Sequence, residues 1–349
     1  MAMLFGREYT RAEVLARVGR LEQIAGVESS TLDDGPAAGV RILRVESGGG
    51  LSFIVLPDRC LDIAHLWWEG QPLCWFNSPG IVAPTFYEPE GTGFLRSFFG
   101  GLLTTCGLRN FGPPCTVDGE DFPMHGRIGN LPASGVAWGA DWLGDECTFW
   151  LEGTVRETRL FGENLTLHRR ITTTLGGAGL RVVTTVRNEG DRPEGHMILF
   201  HMNPGWPLLD EGARLKVDAL SVTPRDADAA AGLAEHDRFI GPQSGFREQV
   251  FTLDLKPDDA GMTRATLWND GLWGGLGLKL TMRKDELPYM FQWRQLGAGA
   301  YVLGLEPSNC PTITGRADAV KAGTLPLLEP GEERRYEIDV DVVSSRASL

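Results

Sequence analysis

Three titratable side chains lie where strand-like stretches of the chain give way to turn residues. His201 ends the apolar run of "HMILFHMN", Glu306 ends "AYVLGLEP", and His125 stands in "PMHGRIGN" between a proline and two glycines. Imidazole and carboxylate groups are common general acids and bases in proteins. These three positions are therefore the first candidates for chemistry.

The strand that ends at His201 has two faces, because side chains alternate along a strand. His201 shares one face with Met197 and Leu199, whereas His196 lies on the opposite face. His201 also has a structural interpretation as a core histidine with a satisfied backbone hydrogen bond. We interpret His196, at the strand entry, as structural.

Glu306 follows Gly304 on an otherwise apolar strand. An unpaired buried carboxylate is very costly, so this side chain must be hydrogen-bonded or stand at the mouth of a cavity. The alternative is a rim glutamate that pairs with Arg294 or Arg316.

Further polar candidates occur in two strand-like stretches. In "LPDRCLDIAHL", Arg59 and Asp62 are placed to form a structural ion pair with each other. In "MFQWRQLG", Gln292 and Trp293 could offer a sugar a hydrogen-bonding edge and a stacking face, or the tryptophan could belong to the core.

Several sequence motifs of common enzyme classes are absent. There is no glycine-rich dinucleotide or phosphate loop and no Gly-x-Ser-x-Gly turn, which argues against nucleotide cofactors and serine hydrolysis. A metal site of His125, His196 and His201 is disfavoured, because the last two face opposite ways on a regular strand. We expect neither a metal nor a cofactor.

Composition narrows the range of partners and locations. The chain has 349 residues, 46 acids against 33 lysines plus arginines and a net charge of −13, which opposes binding to nucleic acid. The six cysteines form no metal-binding or Cys-x-x-Cys motif, so we expect reduced thiols. No secretory signal or membrane-length apolar run is visible, which favours a cytoplasmic protein without membrane contact. A homodimer is left open.

The N-terminal segment predicts a helix. Thr10 and Glu13 form a capping box, apolar residues return at helical spacing from Val14 to Ile24, and Gly26 ends the pattern. We assign residues 1–28 to a helix docked on the single domain formed by residues 29–349.

Most of the remaining chain predicts short strands. Period-two alternation is clear in "LTLHRRITTTL", "LRVVTTVRN" and "YEIDVDV", and 45 glycines and 21 prolines supply turns. More than ten strands with almost no intervening helix predict an all-β fold, a large antiparallel β-sandwich, because parallel strands need crossover helices. We expect residues 226–245 to form a long surface loop.

Three blocks carry a family resemblance: "TVRNEGDRPEGHMILFHMNPGWPLL", "GGLLTTCGLRNFGPPCTVDGEDFPMHGRIGNLPA" and "YVLGLEPSNCP". They resemble the aldose 1-epimerase (galactose mutarotase) superfamily, and within it a bacterial branch of unknown function that includes 2-deoxyribose mutarotase-like proteins. The resemblance covers most of the chain and implies a β-supersandwich fold.

The resemblance also implies roles for the candidate residues. Glu306 would be the catalytic base that takes the anomeric hydroxyl proton, and His201 the catalytic acid at the ring oxygen. His125 and Arg127 would bind the sugar, and we add Arg59, Gln292 and Trp293 as substrate-binding residues. The expected partner is a small-molecule carbohydrate.

Two departures from the family pattern concern the substrate. Phe99 precedes Gly100-Gly101, where sugar-phosphate relatives have an arginine, and Arg96 is the nearest basic residue. This argues against a phosphorylated substrate. The family's second sugar-binding carboxylate is not assigned, since Asp270 and Asp210 are both candidates.

Three alternatives to a cofactor-independent mutarotase stay open. The first is a sugar-binding or sensing protein on the same scaffold. The second is an epimerase or isomerase that removes a proton from carbon. The third is a polysaccharide lyase or hydrolase, although hydrolases want a pair of carboxylates and the candidate set offers one glutamate with two histidines.

Overall fold

Short strands make up most of the protein. The computed structural model describes residues 1–345, and within them it contains 25 strands and three short α-helices. The helices are α1 (Arg11–Leu15), α2 (Ala227–Ala231) and α3 (Arg316–Lys321). The strands are β1 (Ala2–Leu4), β2 (Arg7–Tyr9), β3 (Gly26–Thr31), β4 (Arg41–Glu46), β5 (Leu51–Leu56), β6 (Asp62–Trp68), β7 (Gln71–Pro72), β8 (Leu103–Cys106), β9 (Cys115–Val117), β10 (Glu120–Phe122), β11 (Ser134–Leu143), β12 (Glu146–Thr158), β13 (Asn164–Thr174), β14 (Gly179–Asn188), β15 (Glu194–Gly195), β16 (Leu199–Met202), β17 (Arg214–Val217), β18 (Ala219–Pro224), β19 (Gln249–Leu255), β20 (Met262–Asn269), β21 (Leu276–Arg283), β22 (Tyr289–Gly297), β23 (Ala300–Ser308), β24 (Leu327–Leu328) and β25 (Glu333–Ser344).

Two large antiparallel sheets form the body of the fold. The smaller has eight strands in the order β11-β12-β13-β14-β25-β21-β20-β17. The larger has eleven, in the order β18-β19-β22-β23-β16-β8-β6-β5-β4-β3, with β7 paired to β6. The main apolar core contains residues of both sheets, such as Leu167 and Phe200, which are almost fully buried. The sequence prediction of a large antiparallel β-sandwich is confirmed.

A buried ion pair joins the two sheets. Asp62 on β6 accepts a hydrogen bond from Arg169 on β13 at 2.8 Å, and both side chains are fully buried. The backbone and the hydroxyl of Thr105 on β8 also donate to this carboxylate, at 2.8 and 2.6 Å. The predicted pairing of Asp62 with Arg59 is wrong, because Asp62 is engaged across the sandwich.

The N-terminal segment differs from the predicted single helix. The capping box between Thr10 and Glu13 is present, but α1 ends at Leu15, and a 3-10 turn over Leu21–Gln23 follows. Arg20, just before this turn, has extended backbone with φ −145° and ψ 144°, so the two helical pieces are not continuous. The helically spaced apolar residues still pack together in one cluster, so the pattern predicted their burial but not their backbone.

The structure also bears on the predicted boundary between residues 28 and 29 and on the predicted surface loop. Residues 26–28 belong to β3, the edge strand of the larger sheet, so a division after residue 28 would cut that strand. At the other end, the domain assigned to residues 29–349 includes residues 346–349, which lie outside the described part of the chain. The long loop expected over residues 226–245 begins with α2, which is capped by the Asp226 side chain.

The cysteines and the helices show neither disulfide bonds nor a membrane span among the described residues. All six cysteines lie within residues 1–345 and are free, and all except Cys115 are buried. Among the helices of this range, none is long and apolar enough to cross a membrane.

The Arg169–Asp62 pair predicts a large loss of stability when one partner is removed. Arg169→Met should lower the free energy of unfolding by about 3–5 kcal/mol, because it leaves a buried carboxylate without its countercharge. The matched control is Arg181→Met, which removes a half-exposed arginine that pairs with Asp339 and Glu337 and should cost no more than about 1 kcal/mol. Urea denaturation of the two variants measures the difference. Equal losses would contradict the role given to the buried pair.

Candidate active site

The register of two central strands brings His201 and Glu306 together. β16 lies between β8 and β23, and the pairing of Leu199 with Ser308 and of Met202 with Leu305 puts His201 opposite Glu306. Opposite residues on neighbouring strands point to the same face with their Cβ atoms close together. The Nε2 atom of His201 lies 3.2 Å from Oε1 of Glu306, and both side chains are buried.

The pair lies on the outer face of the larger sheet. Ile198 and Phe200, on the other face of the same chain segment, belong to the core between the sheets. Met197 and Leu199 pack instead in a separate cluster with residues from the connecting loops. The predicted alternation around His201 is confirmed. The loops that cover this face therefore enclose the site.

A cavity of about 710 Å³ contains His201, Glu306 and His125. Its walls are mainly aromatic and apolar. The rings of Trp75, Phe98 and Trp293 surround the histidine, since the His201 ring centroid lies 5.2 Å from that of Phe98 and 5.5 Å from that of Trp293. The other lining residues are Asn77, Phe94, Leu95, Gly112, Pro113, Met124, Arg225, Glu248, Val250, Gln295, Ala300, Ile313 and Thr314.

His125 enters the cavity from a tightly held loop. Its backbone has φ 56°, a left-handed conformation that is uncommon for a residue with a side chain. Its backbone N–H donates to Gly112 at 2.9 Å, and its carbonyl accepts from Gly107 at 3.0 Å. The imidazole lies 5.9 Å from that of His201 between ring centroids. The loop thus holds a second histidine beside the first.

Burial sets the protonation states of the site. It raises the pKa of Glu306 to about 8 and lowers the pKa of His201 to about 3, with His125 contributing further to the lowering. It also lowers the pKa of His125 to about 4. At neutral pH the His201–Glu306 pair therefore holds one proton, on the carboxyl group. The Nδ1 atom of His201 is buried and has no hydrogen-bond partner among the described residues.

A charged pair in the cavity wall was missed by the sequence analysis. Glu248 accepts hydrogen bonds from the indole N–H of Trp293 at 2.9 Å and from Arg225 at 3.0 Å. Arg225 also pairs with Asp226 at 2.8 Å. Arg225 directly follows β18 and Glu248 directly precedes β19. Their position at strand ends is the one signal in the sequence that could have singled them out.

Three predicted substrate-binding residues are not in this cavity. Arg59 is fully buried and donates to the backbone carbonyls of Gly129, Val82 and Ser97. Each of its three guanidinium nitrogens therefore donates to the fold. The structure therefore corrects the prediction that Arg59 binds the substrate.

Gln292 and Arg127 are also separated from the pair. Gln292 is buried and bonds to His236, because alternation turns it away from the face that Trp293 presents to the cavity. Arg127 lines a different cleft of about 420 Å³ that also contains Glu90 and Asp121. Of the predicted binding residues, the structure brings His125 and Trp293 to the pair.

The remaining alternatives for polar residues are settled by their contacts. His196 bonds to the Leu108 carbonyl at 3.1 Å and the Tyr336 hydroxyl at 2.9 Å, a structural role as predicted. Neither Arg294 nor Arg316 pairs with Glu306; they bond to other groups. Asp210 and Asp270 accept from the indoles of Trp206 and Trp268, and neither lines the cavity.

Potential metal-ligating side chains are dispersed in the described part of the chain. Residues 1–345 contain no group of three or more His, Cys, Asp or Glu side chains that could hold a metal ion. His196 faces away from His201 and His125, as the alternation predicted. The polar groups of the cavity are suited to hydrogen bonding and proton transfer.

Comparison with known proteins gives the class of the fold. The large antiparallel sandwich is that of the aldose 1-epimerase and galactose mutarotase-like proteins. The family model described as domain of unknown function DUF4432 matches residues 37–342, and the chain belongs to that family. The resemblance seen in the sequence is confirmed. A search of curated proteins finds no match.

Three solved structures illustrate the likeness. A Klebsiella pneumoniae protein provisionally named an aldose 1-epimerase is 26% identical, with a TM-score of 0.86 over 92% of this chain and 84% of that one. A galactose mutarotase-like protein from Clostridium acetobutylicum is 14% identical, with a TM-score of 0.62 over 92% and 99%. A galactose 1-epimerase from Lactobacillus acidophilus NCFM is 14% identical, with a TM-score of 0.58 over 92% and 99%. The last two share the fold.

The electrostatics of the site predict that its histidines stay neutral. Because burial lowers the pKa of His201 and His125, their imidazole ¹⁵N resonances should show no titration midpoint between about pH 8 and 5.5, whereas an unperturbed histidine titrates near 6.5. Assignment by His→Asn variants and NMR across this range measures it. A midpoint near 6.5 for His201 would contradict the buried, uncharged state.

Proposed function

We propose that this protein is a cofactor-independent aldose 1-epimerase that interconverts the anomers of a free monosaccharide. The observation that carries the proposal is the contact of 3.2 Å between His201 and Glu306 inside a cavity with aromatic walls. The reaction needs one acid and one base on the same substrate, and the pair supplies both. The proposed residues act without any further group.

The proposed reaction opens and recloses the sugar ring. Glu306 as carboxylate takes the proton of the anomeric hydroxyl while the bond between C1 and the ring oxygen breaks, and protonated His201 gives its proton to that oxygen. The open aldehyde rotates about the C1–C2 bond. Ring closure on the other face of the carbonyl returns both protons, so the protein ends as it began.

The single proton of the pair fits this cycle. In the empty site burial favours the uncharged form, with the proton on Glu306. The charged form, carboxylate and imidazolium, contains the same number of protons and differs by a transfer over the 3.2 Å contact. A bound sugar would bring hydroxyl dipoles that stabilise the charged form.

The walls of the cavity suit a sugar ring. Aromatic side chains such as Trp75 and Trp293 offer flat apolar surface to the C–H face of a pyranose or furanose, while a few polar groups fix its orientation. His125 would donate to or accept from a hydroxyl near the ring oxygen, given its position beside His201.

The charges of the cavity favour an uncharged substrate. Arg225, the cation in the wall, is already engaged by two carboxylates. Arg96 pairs with Glu88 and does not line the cavity. A phosphate or carboxylate on the sugar would therefore meet no unpaired cation among the lining residues, and would face the Glu248 carboxylate. The names of the relatives, aldose 1-epimerase and galactose 1-epimerase, agree with the proposed reaction.

Removal of either member of the pair should abolish the activity. Glu306→Gln and His201→Asn are each expected to lower kcat by a factor on the order of 10² to 10⁴, since each removes a general acid or base. The measurement is saturation-transfer NMR between the α and β anomeric protons across a panel of free aldoses. The double variant should be no worse than the more damaged single variant, because the pair acts as a unit.

Matched controls keep this test specific. His168→Asn and Glu333→Gln alter exposed side chains of the smaller sheet and should leave the exchange rate unchanged. Tight sugar binding without accelerated exchange would favour a sugar-binding protein. Deuterium on carbon in sugar recovered from D₂O would favour a carbon epimerase or isomerase, because anomerisation exchanges hydroxyl protons alone.

The pH dependence of the reaction follows from the shared proton. Above about pH 8, the pKa to which burial raises Glu306, the pair loses its proton and no acid remains for the ring oxygen. The value of kcat/KM, after subtraction of the spontaneous rate, should therefore be level from about pH 5 to 7 and fall at alkaline pH. An activity that rises steadily through pH 9 would contradict the assignment of the acid.

A further inference from the structure

Gly304 lies on β23 two residues before Glu306 and points to the same face. It stands opposite Trp293 of β22, so it is in the middle of the site. Glycine weakens the interior of a strand, because it loses more backbone entropy than other residues and has no side chain to pack. Its backbone here does not require glycine, since its φ is not positive. The glycine at position 304 is therefore explained by a lack of room for a side chain.

The space that a side chain would occupy is taken by the proposed catalytic groups. A Cβ atom on residue 304 would lie 2.5 Å from Oε1 of Glu306, 2.9 Å from Cβ of Trp293 and 3.3 Å from Cε1 of His201. The first two distances are shorter than real Cβ contacts. The oxygen at 2.5 Å is the same atom that contacts His201 Nε2 at 3.2 Å. The carboxyl group thus folds back into the volume that any other residue would fill.

We propose that Gly304 is a positioning residue, whose missing side chain lets the Glu306 carboxyl group reach the imidazole of His201. The proposal rests on the reaction proposed above for this pair. The contact with Trp293 involves its Cβ, next to the backbone, so it is relieved only by a small separation of β22 and β23. The contact with Glu306 involves an oxygen at the end of a flexible side chain, which can rotate away. A methyl group at position 304 therefore moves the carboxyl group away from His201.

Gly304→Ala tests the proposal by two independent readouts. The first is kinetic: kcat should fall on the order of 10²-fold, the effect of a displacement of about 1 Å, with a much smaller change in KM. The second is the imidazole ¹⁵N shift of His201 in the protein without sugar, which should move toward its value in Glu306→Gln. The NMR readout does not depend on any activity, so failure of the proposed function and failure of this proposal are distinguishable.

The control is Gly277→Ala on β21 of the smaller sheet. A Cβ there would lie 2.8 Å from the Trp268 ring, a similar crowding in a strand remote from the cavity. It should leave kcat and the His201 resonance unchanged. Unaltered kcat and an unaltered His201 resonance in a folded Gly304→Ala protein would overturn the proposal.

A second variant covers the case in which Gly304→Ala does not fold. Gly304→Ala/Glu306→Asp shortens the acid by one methylene group and withdraws it from the new methyl group. Recovery of a folded protein, measured by thermal unfolding, would support competition between the two side chains for one volume. Failure of this double variant to fold would overturn the proposal, because the clash would then involve atoms other than the Glu306 carboxyl group.

Discussion

The register of β16 against β23 is the constraint on which the site depends. Both strands lie in the middle of the larger sheet and are buried along almost their whole length. A slip of one residue would turn His201 or Glu306 toward the core between the sheets. The strands on either side prevent such a slip, since Thr104 of β8 pairs with His201 and Phe291 of β22 pairs with Glu306. The His201–Glu306 pair is thus fixed by the same ladders that hold the sheet.

Much of the fold could be predicted because its causes are local. Alternation in the long strands identified both faces of β13 and β14, and turn residues marked their ends. The N-terminal helix was overpredicted for a physical reason. Apolar spacing from Val14 to Ile24 reports which side chains are buried, whereas the extended backbone at Arg20 reflects how that segment docks on the sandwich. The bridge from Asp62 to Arg169 joins residues 107 positions apart and has no local signal.

The site was predictable where its residues sit at strand ends and carry the family resemblance. His201, Glu306, His125 and Trp293 come together in the cavity as that prediction requires. Arg225 and Glu248 were missed because they reach the cavity through the pairing of β19 with β22, a long-range contact for which their position at strand ends is the one sequence signal. Gln292 was misassigned although the alternation that brings Trp293 into the cavity turns its neighbour away.

Burial serves opposite purposes at two carboxyl groups of the larger sheet. Asp62 accepts three hydrogen bonds, from Arg169 and from both donors of Thr105, which lower its pKa against the raising effect of burial, and its role is to join the sheets. Glu306 contacts one group, the imidazole of His201, between aromatic walls. An undercompensated carboxyl group keeps its proton to a higher pH, which is the property a proton-transfer residue needs at neutral pH. The number of donors that the fold supplies therefore distinguishes the acid that joins the sheets from the acid for which proton transfer is proposed. Gly304 acts in the same direction, since it makes room for the carboxyl group without adding a donor.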